Sequence, residues 1–245
     1  MTDTVTYARD GRLARVTIDD GKANVMSTQT LTALAKAFDR AEADGAIVVL
    51  AGRPGMFSAG FDLKVFAGGD AEVIFAMMQA GAALAHRVLS FPLPVVAACT
   101  GHAFPMGAFL LLGADVRIGA EGPYRIGLNE VAINIAVPSF GIELARQRLH
   151  PAWFQRTVLT GEMFSPADAV QAGFLDRVVP AADLPAAVKS ATDDLQKIDL
   201  ASHAITKRRA RGPAIAAVRA AIDAEIRLEA YQARGPSRVV LPGAA

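Results

Sequence analysis

The chain has 245 residues, enough for one α/β domain or for one domain with a helical appendage. Hydrophobic residues make up 52% of it and charged residues 20%, which excludes a disordered chain and indicates a globular one. Because 25 basic and 24 acidic side chains nearly cancel, we expect neither a nucleic acid nor a membrane surface as a main partner.

Alternating strands and helices are predicted for the first half of the chain. Residues 12–18 alternate polar and apolar as in a half-buried strand, and residues 46–51 are continuously apolar as in a strand covered on both faces. Between them, Ser27 predicts the N-cap of a helix with one apolar face. The pattern continues with a helix over about 71–89, a strand over 94–100, a helix over 108–114 and a strand over 115–118. This alternation is typical of the α/β class.

The C-terminal part of the chain is predicted to be helical. Residues 165–168 supply an N-cap, a proline and an acid, and Gly173 closes that helix. Beyond Pro180 no strand pattern remains, and two further helices are marked by Leu184, Val188 and Leu195 and by Ile215, Val218, Ile222 and Ile226. We therefore predict a core domain over residues 1–183 and a helical region over 184–245 that packs on the core or on a neighbouring subunit. A short loose tail is expected after Arg234.

The location of the protein is predicted from its cysteine usage and its N-terminus. Cys99 is the single cysteine and lies in an apolar run, which predicts a buried thiol in a reducing compartment. The first residues have neither the basic nor the apolar segment of a signal peptide, and no charge-free apolar stretch of about 18 residues occurs, so we expect neither a signal peptide nor a membrane span. We expect a soluble, cytoplasmic protein.

Several common enzyme classes are disfavoured because their motifs are absent. The chain has no Gly-x-x-x-x-Gly-Lys loop, no Gly-x-Gly-x-x-Gly after the first strand, no His-Glu-x-x-His and no Gly-x-Ser-x-Gly. The four histidines lack ligand spacing: His86, His102, His150 and His203. We expect no metal and no nicotinamide cofactor.

Two turns rich in small residues and one acid carry the remaining chemistry. Residues 57–60 and 105–108 each follow an apolar strand and enter a predicted helix, where unpaired N–H groups can hold an oxyanion. Ala59 and Met106 are the candidate donors, although spacing alone favours the alternative that both segments are ordinary tight turns. Glu130 lies among apolar residues and is a candidate buried base, the alternative being a surface acid that caps a helix.

These segments resemble those of a known family. The run Phe57–Leu63 (FSAGFDL) is similar to the motif Phe-Ser-Ala-Gly-x-Asp-Leu of the crotonase (enoyl-CoA hydratase/isomerase) superfamily. Further markers of that family are matched in order by residues 94–103, Gly107, Asp115, 159–161, Ala169, 172–173 and 178–180. The resemblance implies a spiral of ββα units, a C-terminal helical region used to form trimers or hexamers, and an acyl-CoA thioester substrate with no separate cofactor. It also implies that Ala59 and Met106 supply the oxyanion donors.

Two departures from the family pattern bear on the reaction. Met106 replaces a glycine, and its side chain would narrow the thioester site. Hydratases of the family use two glutamates, and here the first falls at Phe109 while Glu130 matches the second. Hydration shares water activation and proton delivery between two carboxylates, whereas shifting a double bond from the 3- to the 2-position needs one base. The segment 124–130 also resembles the isomerase branch, so an enoyl-CoA isomerase is favoured.

Two alternatives remain open: a hydratase whose second polar group comes from elsewhere, and a homologue that binds acyl-CoA without turnover. Under the isomerase hypothesis Phe109 fills the space where a hydratase positions water.

The residues expected to contact the substrate lie in or next to the two turns: Ser58, Gly60, Phe61, Asp62 and Gly107. The family segment that meets the adenine end of CoA corresponds to Lys22, Ala23 and Asn24; Lys64 would face the phosphates, and Lys207, Arg208 and Arg209 form a basic cluster that could also reach the nucleotide. Phe66, Phe104 and Phe109 are expected to line the acyl pocket.

Overall fold

The computed structural model describes residues 4–233. The strands within that range are β1 (Val5–Asp10), β2 (Leu13–Ile18), β3 (Val25–Met26), β4 (Ile47–Ala51), β5 (Gly55–Ser58), β6 (Gly60–Phe61), β7 (Val95–Cys99), β8 (Gly101–Ala103), β9 (Val116–Ala120), β10 (Ile126–Gly127), β11 (Met163–Phe164) and β12 (Arg177–Val179). The helices are α1 (Thr28–Ala43), α2 (Leu63–Gly68), α3 (Ala71–Ser90), α4 (Pro105–Gly113), α5 (Ser139–Arg148), α6 (Pro151–Thr160), α7 (Pro166–Ala172), α8 (Leu184–Leu195), α9 (Leu200–Glu225) and α10 (Leu228–Gln232). Short 3₁₀ helices cover Val131–Ile133 and Ala181–Asp183.

The strands form a repeating pattern across two sheets. A six-stranded sheet has the order β1-β2-β4-β7-β9-β12, and its strands are parallel except for the antiparallel β1–β2 pair. A four-stranded sheet has the order β11-β10-β8-β5. The strand pairs β4–β5, β7–β8 and β9–β10 each place their first strand in the large sheet and their second in the small one. The predicted α/β spiral of ββα units is therefore confirmed.

The large sheet is buried on both faces. Every residue of β4 and β7 is buried, which explains the continuous apolar runs in the sequence. Helices α1, α3 and α4 contribute to the main core, while Leu184 and Val188 of α8 cover the opposite face.

Helix caps decide where the site-forming helices begin. Ser27 caps α1 by accepting a hydrogen bond from the Thr30 N–H, as predicted. Ser165 caps α7 in the same way by accepting a hydrogen bond from the Asp168 N–H, also as predicted. Helix α4 begins at Pro105, three residues earlier than the predicted helix over 108–114. A proline suits the first helical position because its fixed φ is already helical. The earlier start places the Met106 and Gly107 N–H groups in the first turn of α4.

The C-terminal region differs from the prediction in one respect. Lys207 lies on α9 with 7% of its surface exposed, and its Nζ is 2.7 Å from Asp115 Oδ2. Arg211 pairs with the same carboxylate at 3.0 Å. The proposed contact of Lys207 with a nucleotide is therefore wrong, because its charge is buried in an ion pair that joins α9 to the core. The expected tail after Arg234 lies outside the described residues.

Helix α3 has the length and composition of a membrane span, and half of its most apolar window is buried inside the fold. The core helix of a soluble protein has the same properties. In this structure α3 packs against α1, α4 and α9, which accounts for its apolar composition.

Candidate active site

The two turns singled out in the sequence lie in direct contact. The Phe104 N–H donates to the Ser58 carbonyl at 2.9 Å, which joins the end of β5 to the start of α4. A Cβ added at Gly60, whose φ is +86°, would lie 3.6 Å from the Met106 nitrogen, and one added at Gly107 would lie 2.8 Å from Ser58 Cβ. A side chain at Gly107 would push the turns apart, so glycine there permits their close approach.

Met106 is placed to donate a hydrogen bond at the N-terminus of α4. The first intrahelical bond runs from the Ala108 N–H to the Phe104 carbonyl at 2.8 Å, so the Met106 and Gly107 N–H groups have no acceptor within the helix. The Met106 side chain is buried, and its Sδ would lie 3.3 Å from a Cβ added at Gly81 of α3. This side chain packs into the core and is not part of the cavity wall. The prediction that Met106 narrows the thioester site is therefore wrong.

Ala59 does not present a free donor, contrary to the prediction. Its N–H donates to the Ala23 carbonyl at 2.9 Å, and the Gly60 N–H donates to Ser58 Oγ at 3.0 Å. A donor already paired in this way is not available to an oxyanion. Ala59 nevertheless lines the cavity, as does Phe61, the next residue after Gly60.

The loop before β3 is hydrogen-bonded to the first turn and to the strand that precedes it. Asn24 is fully buried in the left-handed region at φ +52°, and its Nδ2 donates to the carbonyls of Ile18 at 2.8 Å and Met56 at 3.1 Å. Ser58 Oγ donates to the Asn24 carbonyl at 2.8 Å. The Asn24 side chain is therefore a structural brace and cannot reach a ligand, although a contact between CoA and the loop backbone stays a prediction.

The same loop is ordered by Asp20. Burial raises the pKa of its carboxyl, but hydrogen bonds from the backbone N–H groups of Asn24, Lys22 and Val25 outweigh burial and leave the pKa below its ordinary value. Lys22 is exposed on this loop, and Lys64 is exposed on α2, whose N-terminus Asp62 caps through the Lys64 N–H at 3.0 Å. A contact between either lysine and the phosphates of CoA stays a prediction.

Next to the two turns lies a cavity of about 170 Å³ with a mainly apolar wall. Three of the predicted aromatic residues line it: Phe61, Phe66 and Phe104. The wall also includes residues that the sequence did not single out, among them Met78 of α3, Asn129, Ile135 and Tyr231 of α10. These residues come from segments far apart in the chain. Only Asn129 could have been found from the sequence, because it adjoins the candidate base Glu130.

Glu130 places a buried carboxyl group in this cavity. The residue is 4% exposed, and neither carboxyl oxygen has a hydrogen-bond partner among residues 4–233. Burial raises the pKa of Glu130 to about 8. Glu130 stands at the N-cap of the 3₁₀ helix Val131–Ile133 but makes no side-chain cap there, so the alternative of a surface capping acid is wrong. Its environment suits a general base that works near neutral pH.

Phe109 does not line the cavity. Its ring is fully buried and packs edge-on against Phe140 of α5, with centroids 5.3 Å apart. A Cβ added at Gly141 would lie 2.5 Å from this ring, so the glycine makes room for it. Phe109 is therefore core rather than pocket wall, which corrects both its assignment to the acyl pocket and the idea that its ring fills the water position.

Other reactive groups lie away from the cavity. Burial raises the pKa of the Cys99 thiol to about 12, which makes the residue an inert part of β7. Over residues 4–233 no group of three or more His, Cys, Asp or Glu side chains could hold a metal ion.

Comparison with known proteins places this site in a family. Residues 8–234 match the family model described as enoyl-CoA hydratase/isomerase. A structure of an enoyl-CoA hydratase/isomerase family protein from Pseudomonas syringae is 44% identical, with 92% of this chain and 97% of that chain covered and a TM-score of 0.89. Human mitochondrial delta3-delta2-enoyl-CoA isomerase is 27% identical, with 94% and 95% covered and a TM-score of 0.82.

Among curated relatives, the carnitinyl-CoA dehydratase of Salmonella typhi is 31% identical over 188 residues, which cover 75% of this chain and 71% of the relative. The similar proteins thus carry out more than one reaction on CoA thioesters. The chain belongs to the enoyl-CoA hydratase/isomerase family of the crotonase superfamily and is an acyl-CoA-processing enzyme.

Proposed function

We propose that the protein is a 3-enoyl-CoA to 2-enoyl-CoA isomerase that uses Glu130 as its only base. The observation that carries this proposal is the carboxyl group of Glu130, which among residues 4–233 is the one carboxylate lining the apolar cavity without a hydrogen-bond partner. A double-bond shift needs one group that removes a proton and returns it.

In the proposed reaction, ionised Glu130 removes a proton from C2 of the bound thioester. The electrons of the broken C–H bond move onto the thioester oxygen, and the resulting dienolate is held by backbone donors. One donor is the Met106 N–H at the start of α4, where the helix dipole also favours negative charge. We assign the second to Phe61, which follows Gly60 in the first turn and lines the cavity, whereas the Ala59 and Gly60 N–H groups are already paired. Protonated Glu130 then delivers the proton to C4, the double bond settles at the 2-position, and no atoms are gained or lost.

A hydratase is the second candidate, since two other polar groups reach the cavity. Asn129 Oδ1 is buried without a partner among the described residues, and Glu225 at the end of α9 also lines the wall. Glu225 Oε2 accepts a hydrogen bond from the Ser139 N–H at 2.7 Å, an arrangement that ties it to the start of α5. That bond disfavours Glu225 as a mobile second acid, so the isomerase is preferred.

The two candidates are separated by assaying 3-enoyl-CoA and 2-enoyl-CoA side by side with the wild-type enzyme. An isomerase converts the first substrate and adds little water to the second. Efficient formation of 3-hydroxyacyl-CoA from the 2-enoyl substrate would reverse the preference. A trimeric or hexameric assembly, a cytoplasmic location and the lack of a separate cofactor remain predictions, the first of them open to light scattering.

The pH dependence of activity should follow Glu130. The base is active only when ionised, and burial raises its pKa to about 8. We therefore expect kcat/KM for the 3-enoyl substrate to rise with pH and to level off above about 8, because this ratio reports the free enzyme. Steady-state assays across this range check the expectation. A profile already flat from pH 5 upward would contradict a buried base.

A further inference from the structure

The position of the Glu130 carboxyl group depends on its own backbone. No hydrogen bond to either carboxyl oxygen holds it within the described part of the chain. Its backbone is fixed instead by its carbonyl, which accepts from the Ile133 N–H at 3.0 Å and the Ile135 N–H at 2.9 Å. The contacts that hold the turn formed by residues 129–132 therefore determine the position of the Glu130 carboxyl group.

One support is the short antiparallel pair β10–β11, which precedes the turn. Its register places Gly127 opposite Met163. Continued by two residues, the same register brings Gly161, at the C-terminus of α6, opposite Asn129. The β10–β11 pairing therefore places Gly161 next to the Glu130 turn, although neither Gly161 nor Glu130 belongs to the paired strands.

Gly161 touches the backbone on both sides of Glu130. Its φ is +68°, and a Cβ added there would lie 3.2 Å from the Ala132 nitrogen, 3.3 Å from Ala132 Cβ and 3.7 Å from Asn129 Cα. The first two distances are shorter than ordinary packing contacts, so a side chain would press against the turn and displace it. A bare backbone at this position lets α6 lie directly against the turn.

We propose that Gly161 is a positioning residue for Glu130, its missing side chain setting the depth at which the carboxyl group enters the cavity. The role rests on the proposed function of Glu130 as the base. Gly161 does not itself line the cavity and contacts no reacting atom, so it acts only through residues 129–132.

The test compares Gly161→Ala with Gly45→Ala. Gly45 also follows a helix in the left-handed region, at φ +62°, but a Cβ there would meet nothing within 4 Å. Both variants suffer the same backbone strain, and only the first presses on the Glu130 turn. Gly161→Asn completes the set, since asparagine tolerates positive φ yet keeps the Cβ. Thermal unfolding confirms which variants fold, and Gly161→Asn serves if Gly161→Ala does not.

We expect both Gly161 variants to lower kcat about 10- to 100-fold with little change in KM, as for a displaced catalytic group. We also expect the Glu130 pKa, read from carbon NMR of glutamate-labelled protein with Glu130→Gln as the assignment reference, to fall from about 8 towards its ordinary value of 4.5. Gly45→Ala should change neither quantity.

The proposal is overturned if the Gly161 variants match Gly45→Ala in the Glu130 titration. It is also overturned if Gly161→Asn restores both readouts, since strain rather than contact would then explain them. The NMR titration does not depend on turnover. A wild type that fails to isomerise 3-enoyl-CoA would therefore refute the proposed function, while a pKa change confined to the Gly161 variants would still support the positioning role.

Discussion

Glu130→Gln is expected to lower kcat for the 3-enoyl substrate by about 100- to 10,000-fold, the usual contribution of a general base. Glutamine has nearly the same shape and cannot take up a proton. The wild-type carboxyl oxygens have no hydrogen-bond partner within residues 4–233, so the exchange removes none there. Acyl-CoA binding should therefore persist, and the loss should fall on kcat rather than on KM.

The same variant should change how stability depends on pH. Because burial raises the folded-state pKa of Glu130 from 4.5 to about 8, its contribution to stability is full below pH 4.5 and is lost as pH rises through about 8. Glutamine carries no charge at any pH, so the variant does not suffer this loss. Glu130→Gln should therefore unfold at a higher denaturant concentration than the wild type above pH 8, and urea unfolding at several pH values measures the difference.

Glu225→Gln is the matched control, because it neutralises the other cavity carboxylate while keeping an oxygen that can accept from the Ser139 N–H. It should retain most of the isomerase activity. Full turnover by Glu130→Gln, or an equal loss in both variants, would contradict a mechanism with one base.

Phe109→Glu is expected to lower the free energy of unfolding by about 3 to 5 kcal/mol or more. Truncating a buried phenylalanine alone costs roughly that much. The glutamate would also bring a carboxyl group between Phe140 and Gly141, where its ionised form is strongly disfavoured. Urea unfolding followed by circular dichroism measures the change.

Phe109→Leu supplies the comparison, since it keeps an apolar side chain and should cost less than the glutamate. A Phe109→Glu protein that is as stable as the wild type and hydrates 2-enoyl-CoA would show that the carboxylate turns into the cavity. In that event the prediction made from the sequence, with position 109 deciding between isomerase and hydratase, would be restored.

Local patterns were sufficient for much of the fold. Ser27, Ser165 and Gly173 act at the helix ends where capping chemistry is needed, and the runs within β4 and β7 are apolar because both sheet faces are covered. The burial of Glu130 also followed from its apolar neighbours in the sequence.

Contacts between distant segments account for the errors. Whether the Ala59 N–H is free depends on Ala23, which lies 36 positions earlier on another loop. The direction of the Phe109 ring depends on the space left by Gly141 in α5, and the burial of Lys207 depends on Asp115. Spacing along one segment carries no information about such partners.

The central claim, that one buried base carries the proton from C2 to C4, is tested most directly by label transfer. A 3-enoyl-CoA carrying deuterium at both C2 positions is turned over once in ordinary water, and the product is analysed by NMR. Because Glu130 is 4% exposed and both of its carboxyl oxygens are buried, its deuteron should exchange slowly with solvent, and we expect deuterium at C4 of the 2-enoyl product. A product with only protium at C4, or one that carries a hydroxyl group at C3, would contradict the single-base account.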